Sequence, residues 1–326
     1  MNKNRDQLLE KCISLYGEPD RSLIFKYSAI FLSKKNFKEN DIFKIHAKIN
    51  GDSKRIGWIF PLLVLGSSEY DLFGDTHFEQ YIKIGASYLA HHGSDVAIDD
   101  NTHILILKDE TLIDGEFYIH DCIMSLLKYG YYNISFGVAA NNKLFALNYI
   151  ETKRINVAKS LPVTSYTAYV KKLLCELLPK VEDPLSRFVS IYQVVELLIE
   201  KYFHFKLDEH KMRRSTIGTI RDNMAEFSSE RKLINGVFGH CAHRSVLNEN
   251  EISLVRVLFG SDKDEVYYKD LNLPNFVYDI RNAIFHNYHK YELNDLMRDI
   301  AERMEYILAE LLENPKISIL LSNEYG

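Results

Sequence analysis

Cysteine is scarce in this chain of 326 residues: the four present, Cys12, Cys122, Cys175 and Cys241, are scattered without the spacing of a disulfide framework. A cross-linked secreted scaffold is thereby excluded, and a reducing cytoplasm is the expected setting. Long apolar runs are missing too, and no apolar segment follows the opening Met-Asn-Lys-Asn-Arg-Asp, so neither a membrane-spanning helix nor a signal peptide is expected. Nor is there an excess of positive charge. The 40 Lys and Arg stand against 45 Asp and Glu, a net −5, and residues 161–326 alone carry 21 against 25. That balance excludes a protein that coats nucleic acid by bulk electrostatics, so any such contact has to be local. Internal repeats, a glycine-rich phosphate loop and a dinucleotide fingerprint are all lacking. So is a complete zinc set. His240-Cys241-Ala-His243 supplies two or three ligands with no second pair nearby and reads as a loop or helix end. His91-His92-Gly93, with Asp95, follows a segment that reads as a strand, where adjacent side chains face opposite ways and cannot share one metal without a turn. No metal and no cofactor is expected.

What remains is an ordinary globular composition, 46% hydrophobic and 26% charged, in a chain long enough for two domains. Residues 5–16 have helical spacing, stopped by Gly17 and Pro19. Short segments rich in Ile, Val, Tyr and Phe follow at 22–32, 42–49, 57–65, 81–90, 95–98 and 103–107, separated by turn signals such as Asn50-Gly-Asp-Ser53, and read as strands. Residues 117–127 read as a helix, and 131–138 with 144–149 as a hairpin. The abundant Tyr and Phe suit half-buried strands, although Tyr129, Tyr131 and Tyr132 could also stack bases. Residues 151–166 lose the alternation and read as a linker, after which helical spacing runs through 166–178, 184–203, 214–226, 229–237, 250–259, 274–287 and 293–313. Asp183-Pro184 is a strong helix start, Asn294 can cap the last helix, and Asn314-Pro315 ends it. The fold class is therefore α+β: a β-rich α+β domain over 1–160, suited to sensing a trigger or docking a substrate, then an all-α domain over 161–326.

One stretch interrupts this pattern with polar residues of catalytic type: Tyr278-Asp-Ile-Arg-Asn-Ala-Ile-Phe-His-Asn287. Ile280, Ala283 and Ile284 mark an amphipathic helix, on which Arg281 and His286 stand roughly 140° apart around the axis and can border one groove. A histidine moves protons near neutral pH, an arginine offers a forked donor that fits phosphate oxygens, and Asn282 adds a neutral donor and acceptor. The trio suits phosphodiester chemistry without a metal; equally, such residues can form a surface pair. Glu196, amid Val194, Val195, Leu197 and Leu198, either packs opposite this helix and holds Arg281 or looks outward. His289 and Tyr291 either line a groove or are turn residues. Lys211, Arg213, Arg214 and Arg221, with Lys206, form the best basic patch, read either as a solvated helix end or as a guide for RNA.

Arg281-Asn-Ala-Ile-Phe-His286 resembles the Arg-polar-x-x-x-His signature of HEPN domains, particularly those of defence-associated HEPN ribonucleases. The order of parts agrees over roughly the C-terminal half: 184–203, with Tyr192-Gln-Val-Val-Glu196 in its middle, resembles the family's long first helix, and 294–312 its last. The resemblance implies a HEPN-type helical bundle and a metal-independent endoribonuclease with Arg281, Asn282 and His286 as catalytic residues. It also implies RNA as substrate, a homodimer through the helical domain, and a toxin or antiphage role with an antitoxin or phage-derived trigger as partner. Some relatives do not cut RNA, so the alternative it implies is a non-catalytic dimerisation module or a nucleotide- or RNA-binding one.

Overall fold

Alternation of apolar residues in the first half produces a sheet, and helical periodicity in the second produces a set of packed helices, so the chain is a mixed α and β protein. The computed structural model describes residues 3–34, 41–49, 52–67, 77–93, 98–109, 119–133, 153–158, 165–212, 216–219, 221, 229–241, 244–287 and 296–322. Its contacts divide the chain into two units: Met1–Ser160 with Cys175–Lys180, and Leu161–Leu174 with Val181–Gly326.

In the first unit, α1 (Lys3–Tyr16) precedes β1 (Tyr27–Lys34), β2 (Phe43–Ile49) and β3 (Asp52–Pro61). Helix α2 (Phe78–His92), β4 (Thr102–Lys108), α3 (Ile119–Leu127), β5 (Tyr131–Asn133) and β6 (Arg154–Val157) follow. The six strands run in the order β5-β1-β4-β3-β2-β6, antiparallel except for the β2–β6 pair. Trp58, Phe60, Ile104 and Ile106 share one core with Phe78, Tyr81 and Ile84 of α2. A bulge shapes the β2–β3 edge. Ile45 pairs with Gly57 and His46 with Arg55, so Ile56 is the extra residue. The extra residue resets the alternation, and Arg55 and Trp58, three apart, come to lie on the sheet face that carries Lys44 and His46. Gly57 permits the approach of β4 here, because a side chain would collide with the Ile106 carbonyl.

Three strand expectations change. Residues 81–90 are helical, part of α2, since Phe78, Tyr81, Ile82, Gly85 and Leu89 recur at helical spacing and are buried together; their β-favouring side chains mask that period. Residues 22–32 begin as a 3₁₀ turn, Arg21–Lys26, capped by Asp20, and 57–65 end as another, Leu62–Gly66, after Pro61. Of the expected 131–149 hairpin, residues 131–133 form β5, paired with β1, and residues 134–149 lie outside the described residues, as does most of 95–98.

The second unit contains α4 (Ser165–Lys172), α5 (Pro184–Met212), α6 (Glu230–Cys241), α7 (Glu249–Phe259), α8 (Glu265–Asp270), α9 (Leu273–Asn287), α10 (Leu296–Leu312) and α11 (Pro315–Ser322). The Asp183 carboxylate accepts from the Ser186 amide at 2.7 Å and starts α5, whose stripe of Phe188, Ile191, Val195 and Leu198 is buried. Its 29 residues span about 44 Å and run nine residues past the expected end at Phe203. Helix α10 packs along α5, while α6 contacts both α5 and α9. Asn314-Pro315 closes α10 as expected and also opens α11, the Asn314 side chain accepting from the Lys316 amide at 2.9 Å. The short helix α8 was also not expected, and the greater part of 214–226, together with Asn294, lies outside the described residues. Among the described residues no helix is long and apolar enough to cross a membrane.

Candidate functional site

Helix α9 buries Phe276, Val277, Ile280, Ala283 and Ile284 and turns its polar residues outward. Arg281 and His286 meet directly there: Nη1 lies 2.7 Å from His286 Nε2 and 3.1 Å from Asn282 Oδ1. Spacing alone put the two well apart around the axis. They meet because helical side chains lean towards the N-terminus, tipping His286 back over the turn that carries the long Arg281 side chain. A guanidinium only donates, so Nε2 is the acceptor and the imidazole proton sits on Nδ1.

The remaining donors of Arg281 are engaged unequally. Its Nε lies 3.1 Å from Glu230 Oε1, at ion-pair distance but without the alignment of a hydrogen bond. Glu230 opens α6 and also accepts from the buried Tyr192 hydroxyl of α5 at 2.8 Å. Burial first, and Glu230 second, push that phenol well above its ordinary range, so it stays a donor. Nη2 meets no acceptor among the described residues. The guanidinium lies 5.2 Å from the centroid of Phe285, a ring left 45% exposed whose inner side packs on Phe188 and Tyr192 at 6.1 and 5.9 Å. The site thus has a neutral imidazole, a cation with an open Nη2, an aromatic edge, and a carboxylate and phenol that brace the cation. A second network lies on the N-terminal side of the same helix: Asp279 accepts from Arg231 at 3.2 Å and from the Tyr267 hydroxyl at 2.7 Å.

Other expectations resolve differently. Glu196 is exposed on α5 and is not the carboxylate beside Arg281; Glu230 is, because the α6 start abuts α5 at Tyr192. Neither Glu230 nor Tyr192 was picked out as a site residue, and only the position of Glu230 in a first helical turn could have drawn attention to it. Lys211 lies in the last turn of α5, Lys206 pairs with Glu209 at 2.7 Å, and Arg221 is exposed. Arg213, Arg214, His289 and Tyr291 lie outside the described residues.

Tyr131 and Tyr132 are buried, 0% and 2% exposed, and cannot stack bases; Tyr129 is half-buried beside Lys128. His91 and His92 end helix α2 instead of following a strand, with His91 Nδ1 on the Ser87 carbonyl at 2.8 Å. His240 packs on Tyr202 and Phe205 near the end of α6, beside buried Cys241, and His243 lies outside the described residues. No group of three His, Cys, Asp or Glu among the described residues could hold a metal ion. Comparison with protein-family models, curated proteins and solved structures finds no match to this chain.

Proposed function

We propose that the Arg281–His286 pair cleaves RNA, as a HEPN-type endoribonuclease does, and the observation that carries this reading is their 2.7 Å contact beside an open Nη2. In the reaction, a phosphate of the substrate takes the Nη2 donors and draws the guanidinium away from the imidazole. His286 Nε2, released as an acceptor, removes the proton from the ribose 2′-hydroxyl. The 2′-oxygen attacks the adjacent phosphorus, the bond to the 5′-oxygen breaks, and a 2′,3′-cyclic phosphate remains. Protonation of the departing oxygen comes from the second protomer's copy of His286 or from water. Arg281 neutralises the charge that grows on the phosphorane oxygens, and Asn282 holds the guanidinium or the phosphate. Glu230 and Tyr192 are positioning residues that keep Arg281 from swinging, while Phe285 presents a ring against which an unpaired base can stack. RNA is selected over DNA because the nucleophile is the 2′-hydroxyl. The chain then acts as a toxin or defence effector, and a non-catalytic RNA- or nucleotide-binding module is the alternative.

The test is cleavage of total RNA by purified protein, with product ends identified. His286→Ala should slow cleavage by about 10² to 10⁴-fold. Arg281→Lys should fail comparably, since an ammonium cannot reproduce the forked contact. Both side chains border solvent, so circular dichroism and melting should be nearly unchanged. Folded variants that cut as fast as the parent would assign the motif a structural role and leave the binding-module reading.

A further inference from the structure

Along the outward side of α9 the arrangement at Arg281 occurs twice. Tyr278 and Phe285 stand seven positions apart, which sets them within about 20° of one another around the axis and about 10.5 Å apart along it. Each ring carries a guanidinium. Arg281 lies 5.2 Å from the Phe285 centroid, and Arg231, from the first turn of α6, lies 5.0 Å from that of Tyr278. Each guanidinium is braced by an amide and a carboxylate. Arg281 has Asn282 on Nη1 and Glu230 beside Nε; Arg231 donates from Nε to the Asn275 side chain at 3.1 Å and from Nη2 to Asp279 at 3.2 Å. One nitrogen is left over on each, Nη2 of Arg281 and Nη1 of Arg231, which likewise meets no acceptor among the described residues. The Tyr267 hydroxyl fixes Asp279 at 2.7 Å, and the Arg231 side chain is 48% exposed.

An arginine on an aspartate is, taken singly, an ordinary surface pair. The repeat of ring and guanidinium in line on one helix is what a single strand of RNA can use: its bases stack on aromatic rings or guanidinium planes, and its phosphates take the forked donors. Asp279 and Glu230 offset part of each positive charge, so each unit binds weakly by itself and a strand is held by touching both. We propose that Arg231 and Tyr278 form a second nucleotide subsite, which takes one phosphate and one base of an unpaired RNA strand whose scissile phosphate lies at Arg281. This deepens the Arg281–His286 reading and rests on it. The substrate is then single-stranded RNA that continues past the scissile bond along α9 towards Asn275, and a dinucleotide is too short to reach Arg231.

The test is binding of a fluorescein-labelled, unstructured RNA of about ten nucleotides to the full-length protein, read by anisotropy. All proteins carry His286→Ala, so that the strand stays intact. Arg231→Gln and Tyr278→Leu should each weaken binding about tenfold while keeping the parent's melting curve. With Arg231→Gln the slope of log affinity against log salt should also fall by about 0.7, the loss of one phosphate contact. The double variant Arg231→Gln/Asp279→Asn removes the ion pair without unmasking a carboxylate, and it should still bind several-fold more weakly than the parent. With His286 restored, either single change should raise KM about tenfold for the longer RNA at unchanged kcat, and should leave cleavage of a dinucleotide as it was. The inference is overturned if the double variant or both single variants bind as the parent does. It is also overturned if about 100 μM folded protein leaves the anisotropy unchanged. Binding that depends on Arg231 and Tyr278 in a protein that cuts no RNA would keep the subsite and reject the cleavage reading; cleavage indifferent to both residues would do the reverse.

Discussion

His103 lies wholly buried in β4, its Nδ1 on the Asn101 carbonyl at 2.9 Å and its ring edge-on to Tyr131. Burial, with the positive charge of Lys34 acting in the same direction, pushes this imidazole down to about 3. An unfolded histidine titrates near 6.5, so between the two values the unfolded chain binds a proton that the folded one refuses. Stability is therefore complete above about pH 6.5 and falls as the pH drops, by up to about 1.4 kcal/mol per pH unit from this group. Melting temperatures measured from about pH 7.5 down to 5 should show that fall, and His103→Gln should flatten it. Glu230 allows a subtler prediction: Glu230→Gln keeps an acceptor for Tyr192 but removes the charge beside Arg281. If Glu230 positions Arg281, kcat for RNA should drop about tenfold, with melting nearly unchanged and KM little affected. An unaltered kcat would separate Glu230 from the chemistry.

Among the helices, the contacts that fix the candidate site are polar and glycine-dependent as well as apolar. Arg187 of α5 and Glu305 of α10, 0% and 1% exposed, meet at 2.6 Å and lock the two longest helices in register. Removing one partner takes this ion pair from the other buried charge, so Arg187→Met should cost about 3–5 kcal/mol in chemical denaturation, whereas replacing both by apolar residues should recover much of that loss. A second buried carboxylate, Glu251 of α7, is held by Arg244 at 2.6 Å and completes the Asn248 capping box. Gly236 lets α6 approach α5, because a side chain there would collide with the Tyr202 ring. Gly236→Ala should cost about 1–3 kcal/mol and push α6, and with it Glu230, away from Tyr192.

For the molecule as a whole, the reading as an RNA-cleaving enzyme carries its own consequences. One motif per chain supplies one imidazole, and two-sided proton transfer works best with two, so the protein should be a homodimer through its second unit. Light scattering that shows an active monomer at micromolar concentration would sink this. Cleavage should also persist in excess EDTA, since the Arg281–His286 chemistry needs only a base and a fixed cation; activity lost to chelator and restored by magnesium would reject that mechanism.

Periodicity carried much of the helical half into view: the Asp183 start, the buried α5 stripe and the apolar side of α9 follow from local spacing, which a single helix imposes on its own residues. Local chemistry likewise marked out Arg281, Asn282 and His286. Local spacing could not say that residues 81–90 coil, because their β-favouring side chains become a helical face only when packed on Phe60 and Ile106 of the sheet. Nor could it name Glu230 as the carboxylate of Arg281, 51 positions away, or pair Arg187 with Glu305, since those contacts exist only once separate helices are packed. The Arg231–Tyr278 unit lay equally out of reach: the two stand 47 positions apart, and only the packing of α6 on α9 brings the guanidinium to the ring.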